Sequence, residues 1–168
     1  QQLNAADQRI DSYVRQLDEK NRQLRECQSD LADARTRPDT GTAEGWQPTP
    51  LGDMVTLGTD ILFASGKASL TAGGKRKLDE IVQDLKTQYS GRRVRVYGHT
   101  DTDPIRKTKD LWQDNLDLSA NRAMAVERYL VSKGIPADDV ESVAMGEEHP
   151  IPGAPKSKNR RVEIVVIK

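Results

Sequence analysis

Residues 93–145 constrain the fold more than any other stretch of this chain. Val94 and Val96 alternate with Arg93, Arg95 and Tyr97, the period of a strand with one buried face. After Gly98-His99-Thr100-Asp101 comes a polar loop. From Ser119 the residues Ala123, Val126 and Leu130 recur at helical spacing, until Gly134 and Pro136 stop them. Residues 140–145 read as a second strand. Such a strand–helix–strand unit places its two strands parallel in one sheet, with a right-handed crossover. It also brings the end of the first strand and the start of the helix to one mouth, where open α/β sheets take ligands.

The pattern from residue 51 onward continues in the same α/β style. Residues 54–57 and 61–63 read as short strands. Thr71 caps a helix whose stripe is Leu78, Ile81, Val82, Leu85 and Tyr89, ending at Gly91. Residues 161–167 form a closing strand with Val162, Ile164 and Val166 on one face. The N-terminal third differs. Residues 3–36 lack Gly and Pro, and Leu3, Ile10, Leu17, Leu24 and Leu31 recur every seven residues. A strict seven-residue repeat implies a left-handed supercoil with a partner helix. With these at d, the a positions are Asp7, Val14, Asn21, Gln28 and Arg35. Only Val14 is a good a residue, Asn21 would fix a parallel register, and Cys27 lies at g. A homodimer through this helix is the expectation; a lone polar helix is the alternative. Residues 37–50 hold three prolines and two glycines and read as a linker whose Trp46 docks on the domain. The division is therefore a coiled-coil or spacer helix at 1–36, a Pro/Gly linker at 37–50 and a domain at 51–168.

Bulk chemistry removes several function classes. Charged residues make up 31% and cancel to a formal net charge of zero, so no global field favours nucleic acid. One cysteine allows neither an internal disulfide framework nor a cysteine zinc site. Apolar runs stop after a few residues, so no membrane span is expected here. The chain begins at Gln1 rather than Met, which reads as a processed or truncated piece; contact with a membrane is expected only through an anchor outside it. No glycine-rich nucleotide pattern occurs, and no cofactor is expected.

The chemistry-bearing residues gather at the mouth. Asp101 follows the strand end. Ser119 reads as an N-cap with Arg122 in the first helical turn, where the helix dipole disfavours a cation. An Arg placed against local preference points to a task other than stability. A carboxylate at 101 and a guanidinium at 122, with free N–H groups at a helix start, would receive an ammonium and a carboxylate on one ligand. The alternative is that Asp101 and Arg122 pair with each other. His99, Asp101 and Asp103 also spell a pattern that could ligate a catalytic metal. Against it, the strand ends there and His149 is the only other imidazole. Asn115 and Asp117 read as polar residues preceding the helix, Trp112 as a staple for the loop, and one of Arg160 and Arg161 as a support for the loop carrying Asp101.

These residues resemble the OmpA-like peptidoglycan-binding domain shared by the C-terminal part of OmpA, by the Pal lipoprotein and by MotB-type stator proteins. The likeness runs over roughly residues 52–168. It is carried by I-L-F-A-S-G-K-A-S-L, V-Y-G-H-T-D, N-L-D-L-S-A-N-R-A, K-G-I-P-A-D-D-V, G-E-E-H-P-I and N-R-R-V-E-I. The resemblance implies an α+β fold, a β-α-β-α-β-β sandwich with a mixed sheet and helices on one side, here preceded by the coiled-coil helix. It also implies non-catalytic binding of the diaminopimelate of a peptidoglycan stem peptide, in the periplasm or cell envelope. Asp101 would take the amine and Arg122 the carboxylate, with Thr100, Asp103, Asn115 and Leu118 beside them and His99, Ser119, Arg160 and Arg161 in support. The loop at 102–117 is longer than in the OmpA and Pal branches and closer to the MotB branch, so it would either cover the pocket or block it. Two other readings stand beside this one: a metal-dependent hydrolase on His99, Asp101 and Asp103, and a coiled-coil scaffold whose wall site is blocked.

Overall fold

A computed structural model describes Gln16, residues 19–25 and residues 45–168. The chain forms two compact units, Gln1–Thr40 and Gly41–Lys168. In the first, the described residues are helical and solvent-facing. Arg22 pairs with Glu19 one turn away at 2.6 Å, a surface contact that contributes about 0.3–0.5 kcal/mol. Of the heptad positions only Asn21 and Leu24 are described, both exposed; the rest of the expected seam, and Cys27, lie outside the described residues.

The second unit is built on a five-stranded sheet in the order β1-β2-β5-β3-β4. Its strands are β1 (Gln47–Thr49), β2 (Gly52–Gly58), β3 (Val94–His99), β4 (Val140–Gly146) and β5 (Arg161–Ile167). The helices are α1 (Thr59–Leu62), α2 (Ala72–Thr87), α3 (Asn115–Ser132) and α4 (Lys156–Asn159). β3 and β4 run parallel across the α3 crossover, as the strand–helix–strand pattern requires. The other neighbours are antiparallel, so the sheet is mixed. From β2 to β5 the main elements follow β-α-β-α-β-β. β1 is an added edge strand hairpinned onto β2, where Pro48 is tolerated because no strand among the described residues pairs on its outer side.

One apolar cluster holds the unit together. The α2 stripe Leu78, Ile81, Val82 and Leu85, with Tyr89 just past the end of the helix, meets Val126 and Leu130 of α3 and the sheet residues Val94, Val96, Val162, Ile164 and Val166. Each such side chain removed from water contributes about 1.5–3 kcal/mol. Trp46 docks on this core: its ring lies 5.0 Å from Tyr89 and its Nε1 donates to Asp84 at 3.0 Å. Thr71 caps α2, accepting from the Gly74 N–H at 2.9 Å.

Besides β1, which forms within the segment read as linker, two expected elements differ. Residues 61–63 are not a strand: Ile61 and Leu62 finish the single turn α1, closed by the Phe63 N–H on Thr59 O at 2.8 Å. Phe63 makes only an isolated bridge to Leu70. A short apolar run has no period of its own, and here burial of Leu62 beneath α2 decides its form. The second difference is the start of α3. Asp114, not Ser119, is the N-cap, and its carboxylate accepts from the Asp117 N–H at 2.8 Å. Asn115 and Asp117 therefore lie in the first turn rather than before the helix.

Candidate functional site

The site forms where β3 ends. The parallel register with β4 slips between Gly98 and His99, and the Thr100 N–H finds Gly146 O at 2.8 Å, so the chain turns out of the sheet there. α3 can sit directly on this turn because residue 98 is glycine: a Cβ there would lie 2.2 Å from Ser119 O. Ser119, fully buried, is the buckle. Its hydroxyl donates to Leu116 O at 2.8 Å and accepts from the Gly146 N–H at 3.0 Å. It thus ties the second turn of α3 to the end of β4 instead of capping the helix.

Asp101 is 7% exposed. Its Oδ1 accepts from the Asp103 N–H at 3.2 Å, an Asx turn, and its Oδ2 accepts from Arg160 at 2.9 Å. Of the Arg160–Arg161 doublet, Arg160 is thus the one that reaches Asp101. It also grips Asp60 of α1 at 3.1 Å. Asp60 and then Asp101 push the Arg160 guanidinium to hold its proton more tightly than usual. Asn115 braces the loop by donating to Asp101 O at 3.3 Å, to Asp103 O at 3.1 Å and to Glu147 at 2.5 Å. Asp103 is exposed and pairs with Lys156 at 2.5 Å. Lys156 above all holds its carboxyl below the usual range, with smaller help from Arg106 and Arg160.

Arg122 is 5% exposed. It lies in the second helical turn, not the first, so its oddity is burial rather than opposition to the helix dipole. Its Nε donates to Lys67 O at 3.1 Å, and its guanidinium lies 5.3 Å from the centre of the Phe63 ring. Among the described residues no carboxylate comes within 4.0 Å of it, so Asp101 and Arg122 are not paired with each other. Burial pulls its proton affinity below the usual guanidinium range, against a smaller pull the other way from Asp60 and Asp101. It stays charged at any ordinary pH.

Asp101, Asp103, Arg122, Thr100, Asn115, Leu118 and Arg160 all line one open cavity of about 580 Å³. The Thr100 hydroxyl is buried and has no hydrogen-bond partner. The long loop is one wall of this cavity and does not fill it. Trp112 staples the loop down, Nε1 donating to Gly66 O at 2.7 Å. Residues Gly66 and Lys67 thereby face the loop on one side and Arg122 on the other. A second hollow of about 520 Å³ shares Pro104 and Ile105 with the first, and carries the acidic Asp114, Glu147 and Glu148 beside Lys109.

His99 takes no part in the cavity. It is buried, with Nε2 3.4 Å from Glu163. Arg161 joins Glu163 at 2.6 Å. Burial pushes the Glu163 carboxyl up, but His99 and Arg161 outweigh it and bring it to about 2. His99, Asp101 and Asp103 thus turn to three different partners, Glu163, Arg160 and Lys156, and do not converge on a point. Among the described residues no group of three or more His, Cys, Asp or Glu could hold a metal. The sequence reading missed Asp60, Phe63, Gly66 and Lys67, which come from the segment read as strand and turn. It also missed Arg106 and Lys107 of the long loop, which nothing in local pattern marks out.

A family model described as the OmpA family matches residues 62–163. Outer membrane protein A of Escherichia fergusonii is 39% identical over 99 residues, which take in 58% of this chain and 38% of that protein. Outer membrane protein P5 of Haemophilus influenzae is 34% identical over 107 residues, 64% of this chain and 28% of that protein. The chain therefore spans less than half the length of these curated relatives. Among solved structures, the periplasmic domain of Helicobacter pylori MotB superposes with a TM-score of 0.64 at 25% identity, covering 71% of this chain and 84% of that one. The cell wall anchor of the T6SS from Pseudomonas aeruginosa superposes with a TM-score of 0.63 at 28% identity, covering 73% and 85%.

Proposed function

Because this chain belongs to the OmpA family, we propose that its C-terminal unit is a non-catalytic module that binds peptidoglycan through the diaminopimelate of a stem peptide and ties a larger envelope protein to the cell wall. The observation that carries the reading is the buried guanidinium of Arg122, which has no carboxylate partner among the described residues and lines one cavity with the buried carboxylate of Asp101. In this reading Asp101 holds the ligand's ammonium and Arg122 its carboxylate. Thr100 offers its unsatisfied hydroxyl, and Asp103, Asn115 and Leu118 complete the walls. Asp101 already accepts two hydrogen bonds. A carboxylate has about four lone-pair sites, so an ammonium can be received without expelling Arg160. His99, Ser119, Arg160 and Arg161 hold the frame.

Each charge-assisted hydrogen bond contributes about 1.5–3 kcal/mol. A few of them at an open mouth give an affinity of roughly micromolar to millimolar. No bond is made or broken in the ligand. A weak site suits a wall that is itself a polymer: two heads brought together through the seven-residue apolar repeat would gain avidity if both reach stems at once. The names of the relatives, outer membrane proteins and a cell wall anchor, support placement in the envelope. Among the described residues no helix is long and apolar enough to cross a membrane.

The test is co-sedimentation with isolated sacculi. The native chain is expected in the pellet, and Asp101→Ala and Arg122→Ala, checked for folding by circular dichroism, in the supernatant. Folded variants that pellet like the native chain would overturn the site.

A further inference from the structure

The cavity holds more positive charge than a single zwitterionic group can use. Arg106, Lys107, Arg122 and Arg160 line it, against only Asp101 and Asp103. Both acids are already answered from within the protein, Asp101 by Arg160 and Asp103 by Lys156. Arg122 is the one cation buried at the cavity wall, and it suits one carboxylate. Arg106 and Lys107 remain. Both stand exposed on the long loop, and neither has a carboxylate within 4.0 Å among the described residues. Trp112 pins that loop to Gly66, which keeps residues 106 and 107 at the cavity wall. The neighbouring hollow, which shares Pro104 and Ile105, carries Asp114, Glu147 and Glu148 against Lys109 alone, so the balance of charge is acidic there and basic in the first cavity. Such sorting makes a local field that favours an anion on one side only.

We infer that Arg106 and Lys107 form a second anion subsite, which takes an additional carboxylate on the same ligand, beside the ammonium-and-carboxylate pair received by Asp101 and Arg122. The preferred guest is then a stem peptide with a free terminal carboxylate next to its diamino acid, rather than one whose terminus is amidated or cross-linked. This rests on the wall-binding reading above and adds a specificity to it. The subsite is solvent-open, so its contribution is modest and salt-sensitive: exposed pairs are each worth a small factor in affinity, and a preference of about fivefold is the expected size for two.

The experiment is isothermal calorimetry of the 168-residue chain against two synthetic tetrapeptides, L-Ala-γ-D-Glu-diaminopimelate-D-Ala with a free C-terminal acid and its C-terminal amide. The native chain is expected to bind the acid about fivefold more tightly than the amide at low salt, with the gap closing by about 0.5 M salt. In Arg106→Gln/Lys107→Gln the acid-to-amide ratio is expected to fall to about one. Equal binding of both peptides by the native chain, or a ratio unchanged in the double variant, would overturn this inference and leave the wall-binding reading standing. Binding of neither peptide by the native chain would overturn both.

Discussion

Arg122→Met separates a residue kept for a ligand from one kept for the fold. The native guanidinium is buried without a carboxylate, and an ion taken out of water costs several kcal/mol after relaxation. Two contacts offset part of this. The Nε–H bond to Lys67 O returns about 1.5–3 kcal/mol, and the stack over Phe63 about 0.5–2. Methionine keeps most of the stem, carries no charge and still packs on Phe63. It strands the Lys67 carbonyl at a loss of about 1 kcal/mol, softened because water in the cavity can reach it. The balance is neutral to stabilising by up to about 2 kcal/mol. At roughly 4 °C per kcal/mol for a domain of this size, Tm should stay level or rise by up to about 8 °C. Urea denaturation and calorimetry give the stability, and sacculus sedimentation gives the binding. The expected pattern is a protein at least as stable that no longer pellets. A loss of more than about 2 kcal/mol would refute the reasoning, because Arg122 would then be serving the fold.

Further outcomes follow from other contacts. Glu163 has its folded carboxyl depressed to about 2, from an ordinary value of 4.5. Its contribution to stability is therefore present above about pH 4.5 and lost as pH falls toward 2, and is on the order of 2–3 kcal/mol. Urea titrations should show this loss in the native chain and a flatter pH profile in Glu163→Gln; identical profiles would disprove it. Gly98→Ala should cost about 3 kcal/mol or more in chemical denaturation, because the new methyl would sit 2.2 Å from Ser119 O; a loss under about 1 kcal/mol would show that α3 does not press on this turn. Trp112→Phe should cost about 1 kcal/mol overall, yet speed hydrogen exchange in the 102–114 loop and weaken sacculus binding, since the bond to Gly66 O is lost. Unchanged exchange would mean that the loop is held by something else.

Sequence pattern carried the sheet and the two long helices because their signals are periodic. The α2 stripe and the alternation in β3 and β5 leave little choice of buried face. It failed where periodicity is absent. Residues 61–63 are too few to show a period, and only Leu62 packing beneath α2 makes them a helical turn. Ser119 resembles an N-cap in type, but the working cap is Asp114, and Asp117 also reaches back to the Gln113 N–H at 3.0 Å. The strand at 47–49 lies in a segment rich in Pro and Gly, which edge position tolerates. At the site, the residue types at 101 and 122 could be singled out from one sequence. Their mutual independence could not, because it depends on Arg160, which reaches Asp101 while also holding Asp60, 100 residues away in sequence. The loop residues Arg106 and Lys107 carry no pattern at all; only folding the loop against Gly66 shows which side they face.

The central claim is that Asp101 and Arg122 grip the two ends of one zwitterionic group. Free meso-diaminopimelate titrated into the isotope-labelled chain and followed by NMR addresses it directly. Saturable shifts are predicted for the amides of Thr100, Asp101, Asp103 and Asn115 and for the Arg122 Nε–H, with a Kd between roughly micromolar and millimolar, and their loss is predicted in Asp101→Asn. Shifts that stay flat at those positions up to tens of millimolar, or that persist unchanged in Asp101→Asn, would contradict it.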